Sequence, residues 1–331
     1  MSSAQIHQTA APGPAFRHEA LLYAGRRDFL AGTVPFIRQG LDDDEPILVV
    51  VDAVKIMALR EALAGDADRV YFADMAQVGR NPARIIPRWR QFVEEHLRVD
   101  RPVRGIGEPL WAGRGAAEVV ECQAHETLLN FAFAESAAWA LLCPYDIKAL
   151  KPAVVREARR SHPFVRRNGT REVSGDYLDA HPSPARLNRP LPPPPADVEA
   201  VGFGPGLDAL KTVRSLVVHH ARRAGLDATT TANLVLSANE LATNSLRHGG
   251  GQGTIRLWQD RDGLVCEVRD AGQIDGPVLL GRQLPTLDQI GGRGLWLANQ
   301  LCDLVQIRST AAGTTVRLHM DLGAASTDHA C

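Results

Sequence analysis

Short apolar runs alternate with segments of helical periodicity over the first half of the chain. The continuous apolar run Pro46–Val51 predicts a strand that is covered on both faces, because a strand with one solvated face alternates polar and apolar residues. Further strands are predicted at His18–Tyr23, Val70–Ala73, Val103–Ile106 and Trp139–Cys143. Helices are predicted through Phe29, Val34 and Ile37, and at Ile56–Leu63, Ile85–Leu97, Glu118–Ala134 and Pro152–Arg160. This alternation predicts an α/β domain with a mostly parallel sheet between two helical layers.

A proline-rich segment divides the chain. Residues His181–Asp197 contain seven prolines, which remove backbone donors and favour extended geometry. We interpret the segment as a semi-rigid linker, with a proline-motif ligand for a partner protein as the alternative. The predicted organisation is a flexible tail (1–15), an N-terminal domain (16–165), a linker (166–199), a C-terminal domain (200–322) and a second flexible tail (323–331).

The pattern after the linker is different. A helix is predicted at Leu207–Ala224, where Gly225 ends it, and Asp227 is placed to cap a second helix that runs to Gly249. Later elements are the strands Thr254–Gln259 and Leu264–Arg269, a helix at Gly294–Leu301, and the strands Leu304–Arg308 and Thr314–Met320. Helices over a mixed, largely antiparallel sheet predict an α+β sandwich.

Three polar residues of the second helix, Glu240, Asn244 and His248, are spaced four apart. Four residues turn a helix by about 400°, so the three side chains fall within roughly 80° of one another on one face. A Glu-x-x-x-Asn pair alone is compatible with a solvated helix face. Two glycine segments follow, however: Asp270-Ala271-Gly272 after a strand, and Gly292-Arg293-Gly294 at the start of a helix. The order of these segments predicts a nucleotide pocket.

Each polar group in this pattern suits one part of ATP–Mg²⁺. The Asn244 side chain offers a neutral oxygen to Mg²⁺, and Glu240, one turn earlier, can accept a proton near the γ-phosphate. The Asp270 carboxylate can accept from the adenine amino group. Backbone N–H groups near Gly292 and Gly294 can bind phosphate oxygens.

Composition narrows the function classes. The 331 residues are 45% hydrophobic, and 37 basic against 38 acidic residues give a net charge of −1, which argues against general nucleic-acid or membrane-surface binding. One basic cluster is interpreted as a solvated helix face and loop, with a nucleic-acid patch as the alternative. It contains Arg156, Arg159, Arg160, Arg166, Arg167 and Arg171. Five scattered cysteines without a C-x-x-C pair, and no signal peptide or apolar stretch of spanning length, predict a cytoplasmic protein with reduced thiols and no membrane contact.

Residues 200–320 resemble the ATP-binding domain shared by histidine kinases, gyrase B and MutL, the Bergerat or GHKL fold, and are most similar to the RsbW-type anti-sigma factor and serine kinase subfamily. The resemblance rests on Glu240–Gly249, Asp270-Ala271-Gly272, Gly292–Leu295 and Gly313-Thr314. It implies ATP and Mg²⁺ as cofactors. The implied site contains Glu240 as general base, Asn244 as Mg²⁺ ligand, Asp270 and Thr314 at the adenine, Gly272 in the first glycine box, Gly292 and Gly294 in the phosphate turn, and Arg293 and His248 at phosphate.

Alternatives remain for two of these residues. Arg293 is compatible with a solvated position, and His248 with a favourable interaction at the helix terminus. Ile274 stands where the family commonly has the second glycine of Asp-x-Gly-x-Gly, and the segment between the glycine boxes is short. Both departures suit the anti-sigma subfamily better than gyrase-type ATPases.

This resemblance implies a regulator that sequesters a sigma factor and phosphorylates a serine or threonine of an anti-anti-sigma (STAS-type) partner, and that forms a homodimer. One alternative is a nucleotide-dependent binding module without phosphotransfer. The other is an atypical sensor histidine kinase, although His219 and His220 lie on the first helix of the ATPase domain rather than on a separate hairpin.

The N-terminal domain begins like a RecA/KaiC-type ATPase, but Asp52–Lys55 follows the apolar strand without a G-x-x-x-x-G-K-[ST] phosphate loop. Residues 16–165 resemble the MEDS sensory domain, on the segments His18–Tyr23, Arg104–Trp111, Glu121–Glu126 and Cys143–Asp146. The resemblance implies a sensor of an unidentified small ligand. We expect Glu108, Glu121, His125 and Glu126 to converge at the carboxyl ends of the strands. Glu121 and His125 are compatible with a metal pair, a surface ion pair or a core histidine.

Overall fold

A computed structural model describes residues 16–96, 102–135, 139–178, 187–206, 208–274, 279–285 and 292–322. These residues form two sheets, one before and one after the proline-rich segment. Both predicted tails, 1–15 and 323–331, lie outside the described residues. Within the described part of the chain, every helix is too short or too polar to cross a membrane.

Seven strands in the order β3-β2-β4-β5-β1-β6-β7 form the first sheet. The strands are β1 (Phe16–Tyr23), β2 (Ile47–Val51), β3 (Tyr71–Asp74), β4 (Val103–Gly107), β5 (Trp139–Asp146), β6 (Phe164–Arg167) and β7 (Thr170–Val173). The helices are α1 (Arg26–Asp42), α2 (Ala53–Leu63), α3 (Met75–Val78), α4 (Ile85–His96), α5 (Ala116–Ala132) and α6 (Pro152–Ser161), with 3-10 turns at Ala64–Arg69 and Pro82–Arg84. All neighbouring strands pair in parallel except β6 and β7. The predicted α/β class is confirmed.

Both faces of this sheet carry an apolar core. Every residue of β2 is buried, with Leu48 and Val50 in the cluster on one side and Ile47 and Val49 in the cluster on the other. The strand is therefore covered on both faces, as its continuous apolar run predicted, because each face of the strand packs against an apolar core.

The β6–β7 hairpin was not predicted, and its second strand falls within the predicted linker range 166–199. Its turn is Asn168-Gly169, with φ values of 49° and 79°. Both residues need positive φ in this two-residue turn, and Asn-Gly meets that need with little strain. Arg166 and Arg171 on the hairpin lie 2.9 and 3.3 Å from the carboxylate of Glu19, which is 1% exposed. Part of the basic cluster therefore neutralises a buried charge instead of forming a solvated patch.

Five antiparallel strands in the order β11-β12-β10-β9-β8 form the second sheet. The strands are β8 (Val201–Phe203), β9 (Gly253–Gln259), β10 (Gly263–Asp270), β11 (Leu304–Thr310) and β12 (Gly313–Asp321). The helices are α7 (Ala209–Ala224), α8 (Ala228–His248) and α9 (Arg293–Leu301). The helices pack on one face of the sheet around an apolar core that includes Val217, Leu241 and Leu318. The predicted α+β sandwich is confirmed.

Local signals set the helix ends in this domain as predicted. Gly225 ends α7 in the left-handed region at φ 82°, and its N–H donates to the last turn. The carboxylate of Asp227 accepts from the N–H of Thr230 at 2.9 Å and caps α8.

The second face of the C-terminal sheet is covered by the linker and by the N-terminal domain. Three linker groups accept hydrogen bonds from the sheet: Asn188 Oδ1 from Ser309 N, the Arg189 carbonyl from Arg308 Nε, and the Pro192 carbonyl from Arg317. The described part of the predicted spacer is thus bound to the C-terminal sheet by backbone and side-chain contacts.

The C-terminal end of α9 lies against the N-terminal domain. Asn81 Nδ2 donates to the Asn299 carbonyl at 3.1 Å, and Arg84 donates to the carbonyls of Asn299, Gln300 and Cys302 at 2.8, 2.7 and 3.0 Å. The last carbonyls of a helix have no partner within it, so these donors from the other domain satisfy them.

Candidate functional site

A cavity of about 380 Å³ opens between α8, the ends of β10 and β12, and the start of α9. Six of the nine predicted site residues line it: Asn244, His248, Asp270, Gly272, Gly292 and Thr314. The other lining residues are mostly apolar: Leu241, Ser245, Gly249, Val268, Gln273, Ile274, Leu280, Leu295 and Val316. An apolar cleft of this size with a few convergent polar groups is typical of a small-molecule site.

The polar strip on α8 faces the beginning of α9. A Cβ atom at Gly294 would lie 3.1 Å from Glu240 Oε2 and 3.3 Å from Asn244 Nδ2, so the two side chains meet the same glycine. Glu240 and Asn244 are half-buried, and His248 is exposed at the last position of the helix. The predicted strip is therefore aligned along one face, with its first two members against the glycine turn.

Asp270 is held in a fixed orientation at the end of β10. Its Oδ2 accepts from the Ser245 hydroxyl at 2.6 Å, and its Oδ1 accepts from the Gly272 N–H at 2.9 Å. A Cβ at Gly249 would collide with the Asp270 side chain, so only glycine permits this close approach. Each carboxylate oxygen keeps a lone pair for a donor in the cavity, as binding to an adenine amino group requires.

Thr314 lies opposite Asp270 in the β10–β12 register. Its hydroxyl donates to the Gly272 carbonyl at 2.8 Å and lies 3.0 Å from the hydroxyl of Ser309, which also accepts from the Ile274 N–H at 2.8 Å. Thr314 and Ser309 therefore fix the loop that follows Asp270. Ile274 takes part in this loop through its backbone, so the absence of a second glycine leaves the loop well bonded.

Gly292 has a φ of 78° and is the N-cap of α9. Gly292 and Gly294 frame the first turn of the helix, where backbone N–H groups have no partner within the helix and can bind phosphate. Arg293 is exposed and is the first helical residue. The groups around the cavity thus fit ATP–Mg²⁺, because a fixed carboxylate, a carboxamide oxygen and a helix N-terminus border the same space.

Four consecutive residues before α9 connect the cavity to the N-terminal domain. Leu279 is buried in the N-terminal core cluster, whereas Leu280 packs on the C-terminal core and lines the cavity. The Gly281 carbonyl accepts from Asn299 Nδ2 at 2.8 Å. Arg282 lies 3.4 Å from the Glu121 carboxylate on α5.

Glu121 joins α5 to the C-terminal sheet. It is 3% exposed, and it accepts from Arg308 at 2.7 Å and from Gln306 at 3.4 Å as well as from Arg282. The expectation that it lies at the carboxyl ends of the parallel strands is wrong, because α5 turns this residue towards the other domain. It forms a buried ion pair across the interface, neither a metal pair with His125 nor a surface pair.

Glu108 alone of the four expected polar residues lies at the carboxyl edge of the parallel sheet. Its carboxylate accepts from the Tyr23 hydroxyl at 2.6 Å and lies 2.9 Å from Lys55 Nζ, which also contacts Asp52. Burial raises the pKa of Glu108 to about 7, although the Lys55 charge opposes the shift. Burial also raises the pKa of Tyr23, and the Glu108 charge adds to this effect.

The other two expected residues, His125 and Glu126, are buried on α5 inside the N-terminal core. Sequence reasoning also missed Ser245, which lines the cavity, and Ser309, which bonds to the lining residues Ile274 and Thr314. Ser245 directly follows Asn244 and Ser309 pairs with Thr314 in register, so only the three-dimensional arrangement reveals their roles.

Comparison with known families agrees with this division. Residues 17–163 match the family model of MEDS, the methanogen/methylotroph, DcmR sensory domain. Residues 203–320 match the model of the histidine kinase-like ATPase domain. The chain therefore joins a MEDS domain to a histidine kinase-like ATPase domain. The resemblances to the MEDS domain and to the ATP-binding domain of histidine kinases are thereby confirmed, and the ATPase domain implies ATP binding.

Among solved structures, the RsbU and RsbW domains of a Mycobacterium tuberculosis protein are similar, with 20% sequence identity and a TM-score of 0.30. The similarity covers 38% of this chain and 33% of that chain. No curated protein matches the sequence.

Proposed function

We propose that this chain is an ATP-dependent anti-sigma regulatory factor with its own sensory domain. It sequesters a sigma factor, and it transfers the γ-phosphate of ATP to a serine or threonine of an anti-anti-sigma partner. One observation carries the proposal. Glu240 and Asn244 both lie against Gly294, beside a cavity that the fixed carboxylate of Asp270 also lines.

Asp270 and Thr314 select the base in the cavity. Asp270 accepts from the adenine amino group, because Ser245 and the Gly272 N–H already orient its oxygens. Leu241, Val268 and Val316 supply apolar contacts to the ring. A half-buried acceptor held in this orientation discriminates against bases that present a carbonyl there, since two acceptors would then face each other.

Glu240 and Asn244 act at the phosphate end. Asn244 holds Mg²⁺ through its side-chain oxygen, and the ion neutralises phosphate charge during transfer. Glu240 accepts the proton of the attacking serine or threonine hydroxyl. The N–H groups near Gly292 and Gly294 bind phosphate oxygens, with Arg293 and His248 as further phosphate contacts.

The MEDS domain would control the site through the residues that precede α9. Leu279 lies in the MEDS core and Leu280 in the nucleotide cavity, so a shift of one is transmitted to its neighbour. Arg282 ties the same segment to α5 through Glu121. Two discrete arrangements of this segment would make the nucleotide site responsive to a ligand of the MEDS domain.

Phosphotransfer can be tested with the purified full chain, radiolabelled ATP and a candidate anti-anti-sigma protein. Glu240→Ala should lower transfer by at least about 100-fold, the usual contribution of a general base, while the Kd for ATP stays within about three-fold. Asn239→Ala is a matched control, because Asn239 precedes Glu240 on α8 and bonds to Arg214 rather than lining the cavity. Equal transfer by wild type and Glu240→Ala would refute the mechanism.

A binding module without phosphotransfer is the second candidate. The changed first glycine box allows it, because Ile274 stands where the family commonly has a second glycine. In that case the wild type transfers no label, yet ATP changes the affinity for the partner. Acid-labile label on His219 or His220 would instead indicate an atypical histidine kinase.

A further inference from the structure

Four chemically reactive side chains meet inside the MEDS domain, away from the nucleotide cavity. His18 comes from β1, Glu126 from α5, Cys143 from β5 and His162 from the residue that follows α6. Each is at most 1% exposed, and one nitrogen, oxygen or sulfur atom from each lies within 4.8 Å of the others. The elements that meet here are far apart in sequence, so the cluster is a product of the fold.

Hydrogen bonds fix the tautomer of His18. The Asn130 amide donates through Nδ2 to the Ser161 carbonyl at 2.6 Å, which leaves Asn130 Oδ1 facing His18 Nδ1 at 3.0 Å. An amide oxygen only accepts, so His18 carries its proton on Nδ1. Its Nε2 therefore presents a lone pair to the cluster.

His162 is fixed in the same way. Its Nδ1 lies 2.7 Å from the Ala158 carbonyl oxygen, which accepts its proton. Its Nε2 is buried without a hydrogen-bond partner and lies 3.3 Å from Glu126 Oε2. Imidazoles whose Nδ1–H is bound by an amide or backbone oxygen, with Nε2 turned inward, are oriented as metal ligands usually are.

Glu126 completes a set in which acceptor atoms outnumber the donors within reach. Its Oε2 lies 3.1 Å from His18 Nε2 and 3.3 Å from His162 Nε2, and both carboxylate oxygens are buried without a hydrogen-bond partner. The thiol of Cys143, 3.3 Å from His18 Nε2, can donate to one of these atoms, and the buried hydroxyl of Tyr145 beside Glu126 can donate to another. The remaining lone pairs face one another, an arrangement that is costly unless a cation lies among them.

We propose that His18, Glu126, Cys143 and His162 bind a divalent transition-metal cation of the zinc class. Two imidazoles, a thiolate and a carboxylate are ligands that Zn²⁺ accepts in tetrahedral sites. Zinc–ligand bonds of about 2.0–2.3 Å give tetrahedron edges of roughly 3.3–3.7 Å. The contacts of 3.1–3.3 Å lie at the short end of this range or slightly below it, and all four atoms lie within 4.8 Å of one another, so side-chain rotations can bring them onto one tetrahedron.

The charge balance supports a divalent ion. Binding displaces the Cys143 proton to solvent as the sulfur–metal bond forms, so one thiolate and one carboxylate neutralise the two positive charges. A buried neutral complex avoids the desolvation cost of an isolated carboxylate. The proposal concerns the MEDS domain alone and does not depend on phosphotransfer by the ATPase domain.

Cobalt provides the test, because Co²⁺ occupies zinc sites and absorbs light. The full chain, purified without chelators, should contain about one equivalent of zinc-class metal by elemental analysis. After removal of that metal, added Co²⁺ should give the near-ultraviolet absorption of a cobalt–thiolate bond. Cys143→Ser should abolish this absorption and lower Co²⁺ affinity by at least about 100-fold, since even loss of a residue that only orients a ligand costs 10- to 100-fold.

Two neighbouring residues give matched controls. Cys122 is an equally buried thiol on α5, and His125 is an equally buried imidazole beside Glu126, yet neither belongs to the cluster. Cys122→Ser should keep the cobalt–thiolate absorption, and His125→Gln should keep one equivalent of metal where His162→Gln loses it. Retention of the absorption in Cys143→Ser overturns the site.

The wild type decides the question even if the variants fail to fold. A folded wild type that binds neither Zn²⁺ nor Co²⁺ overturns the proposal, and so does a Co²⁺ complex without thiolate absorption. A tetrahedral Co²⁺ spectrum with that absorption, and one sulfur in the first coordination shell by X-ray absorption, supports it.

Discussion

The two domains place their polar groups in opposite ways. In the MEDS domain, Glu108, Glu121 and Glu126 are at most 3% exposed. In the ATPase domain, Glu240 and Asn244 are half-buried beside an open cavity, and His248 is exposed. Enclosed groups must find their counter-charges within the protein, whereas groups at an open cavity can obtain them from an exchangeable ligand.

Because of this difference in exposure, the two domains should respond to different kinds of ligand. A cavity of about 380 Å³ has the size of a small-molecule site. The enclosed carboxylates of the MEDS domain can be neutralised by a proton, by a small ion or by a charged side chain of the ATPase domain. Changes at the enclosed groups should therefore alter stability, and changes at the open groups should alter ligand affinity.

The largest effect is expected for Glu121→Ala. The variant leaves Arg282 and Arg308 buried without their counter-charge, which should lower the free energy of unfolding by about 3–5 kcal/mol. Urea denaturation followed by tryptophan fluorescence measures it. Glu61→Ala is the control, because the Glu61–Arg26 pair is exposed and should cost less than about 1 kcal/mol. Equal losses in both variants would contradict the enclosed ion pair.

The next effect is a pH dependence centred on Glu108. Its pKa is raised from 4.5 to about 7, so between these values the folded protein holds a proton that the unfolded chain has released. Stability should therefore fall as the pH rises from about 4.5 to 7, by at most about 3 kcal/mol. Glu108→Gln should remove this slope in unfolding measured at pH 5 and 7. Glu172→Gln, at an exposed position of β7, should leave the slope unchanged.

Asp270→Asn should weaken ATP binding by at least about 30-fold, or about 2 kcal/mol. The Ser245 hydroxyl and the Gly272 N–H both donate to this side chain, and the adenine amino group would do so as well, so the NH₂ group of an amide would face another donor. Calorimetry on the full chain measures the Kd. Asp260→Asn changes an aspartate that also accepts backbone N–H groups but lies in the β9–β10 turn, and its Kd should stay within two-fold. An unchanged Kd for Asp270→Asn would contradict a contact between Asp270 and the adenine.

The smallest effect is expected for Asn81→Ala, about 1 kcal/mol, since Arg84 still donates to the same carbonyls. Amide hydrogen exchange should nevertheless increase at the C-terminal end of α9, because the Asn299 carbonyl loses the Asn81 side chain as a donor. Asn239→Ala, which removes an exposed acceptor of Arg214, should leave exchange in α9 unchanged. Unaltered exchange in both variants would show that Asn81 does not restrain the helix.

The architecture of both domains could be predicted because residues close together in the sequence determine where each helix and strand begins and ends. The apolar run at β2, the glycine that ends α7 and the aspartate that caps α8 act over a few residues. The nucleotide cavity was also predictable, since its motifs keep a fixed order along the chain. The β6–β7 hairpin carried the equally local Asn168-Gly169 signal, which the basic residues around it obscured.

Long-range contacts were not predictable in the same way. His18 and His162 are separated by more than a hundred residues, and nothing local indicates that β1 and the end of α6 face the same residue of α5. The partners of Glu121 likewise depend on how the two domains pack. The spacing of Glu121 and His125 suggested a joint role, but the packing of α5 gives the two residues different surroundings.

Helix α9 is anchored at both ends by different parts of the molecule. Its first residues border the nucleotide cavity, and its last carbonyls are bonded to Asn81 and Arg84 of the MEDS domain. Its nine residues span only about 14 Å, a length at which a helix moves as a rigid rod. Thermodynamic linkage then requires reciprocity: whatever factor a sensed compound imposes on ATP affinity, ATP imposes on the affinity for that compound. Under the proposed function, the ATP concentration would thereby set the concentration at which the sensed compound binds.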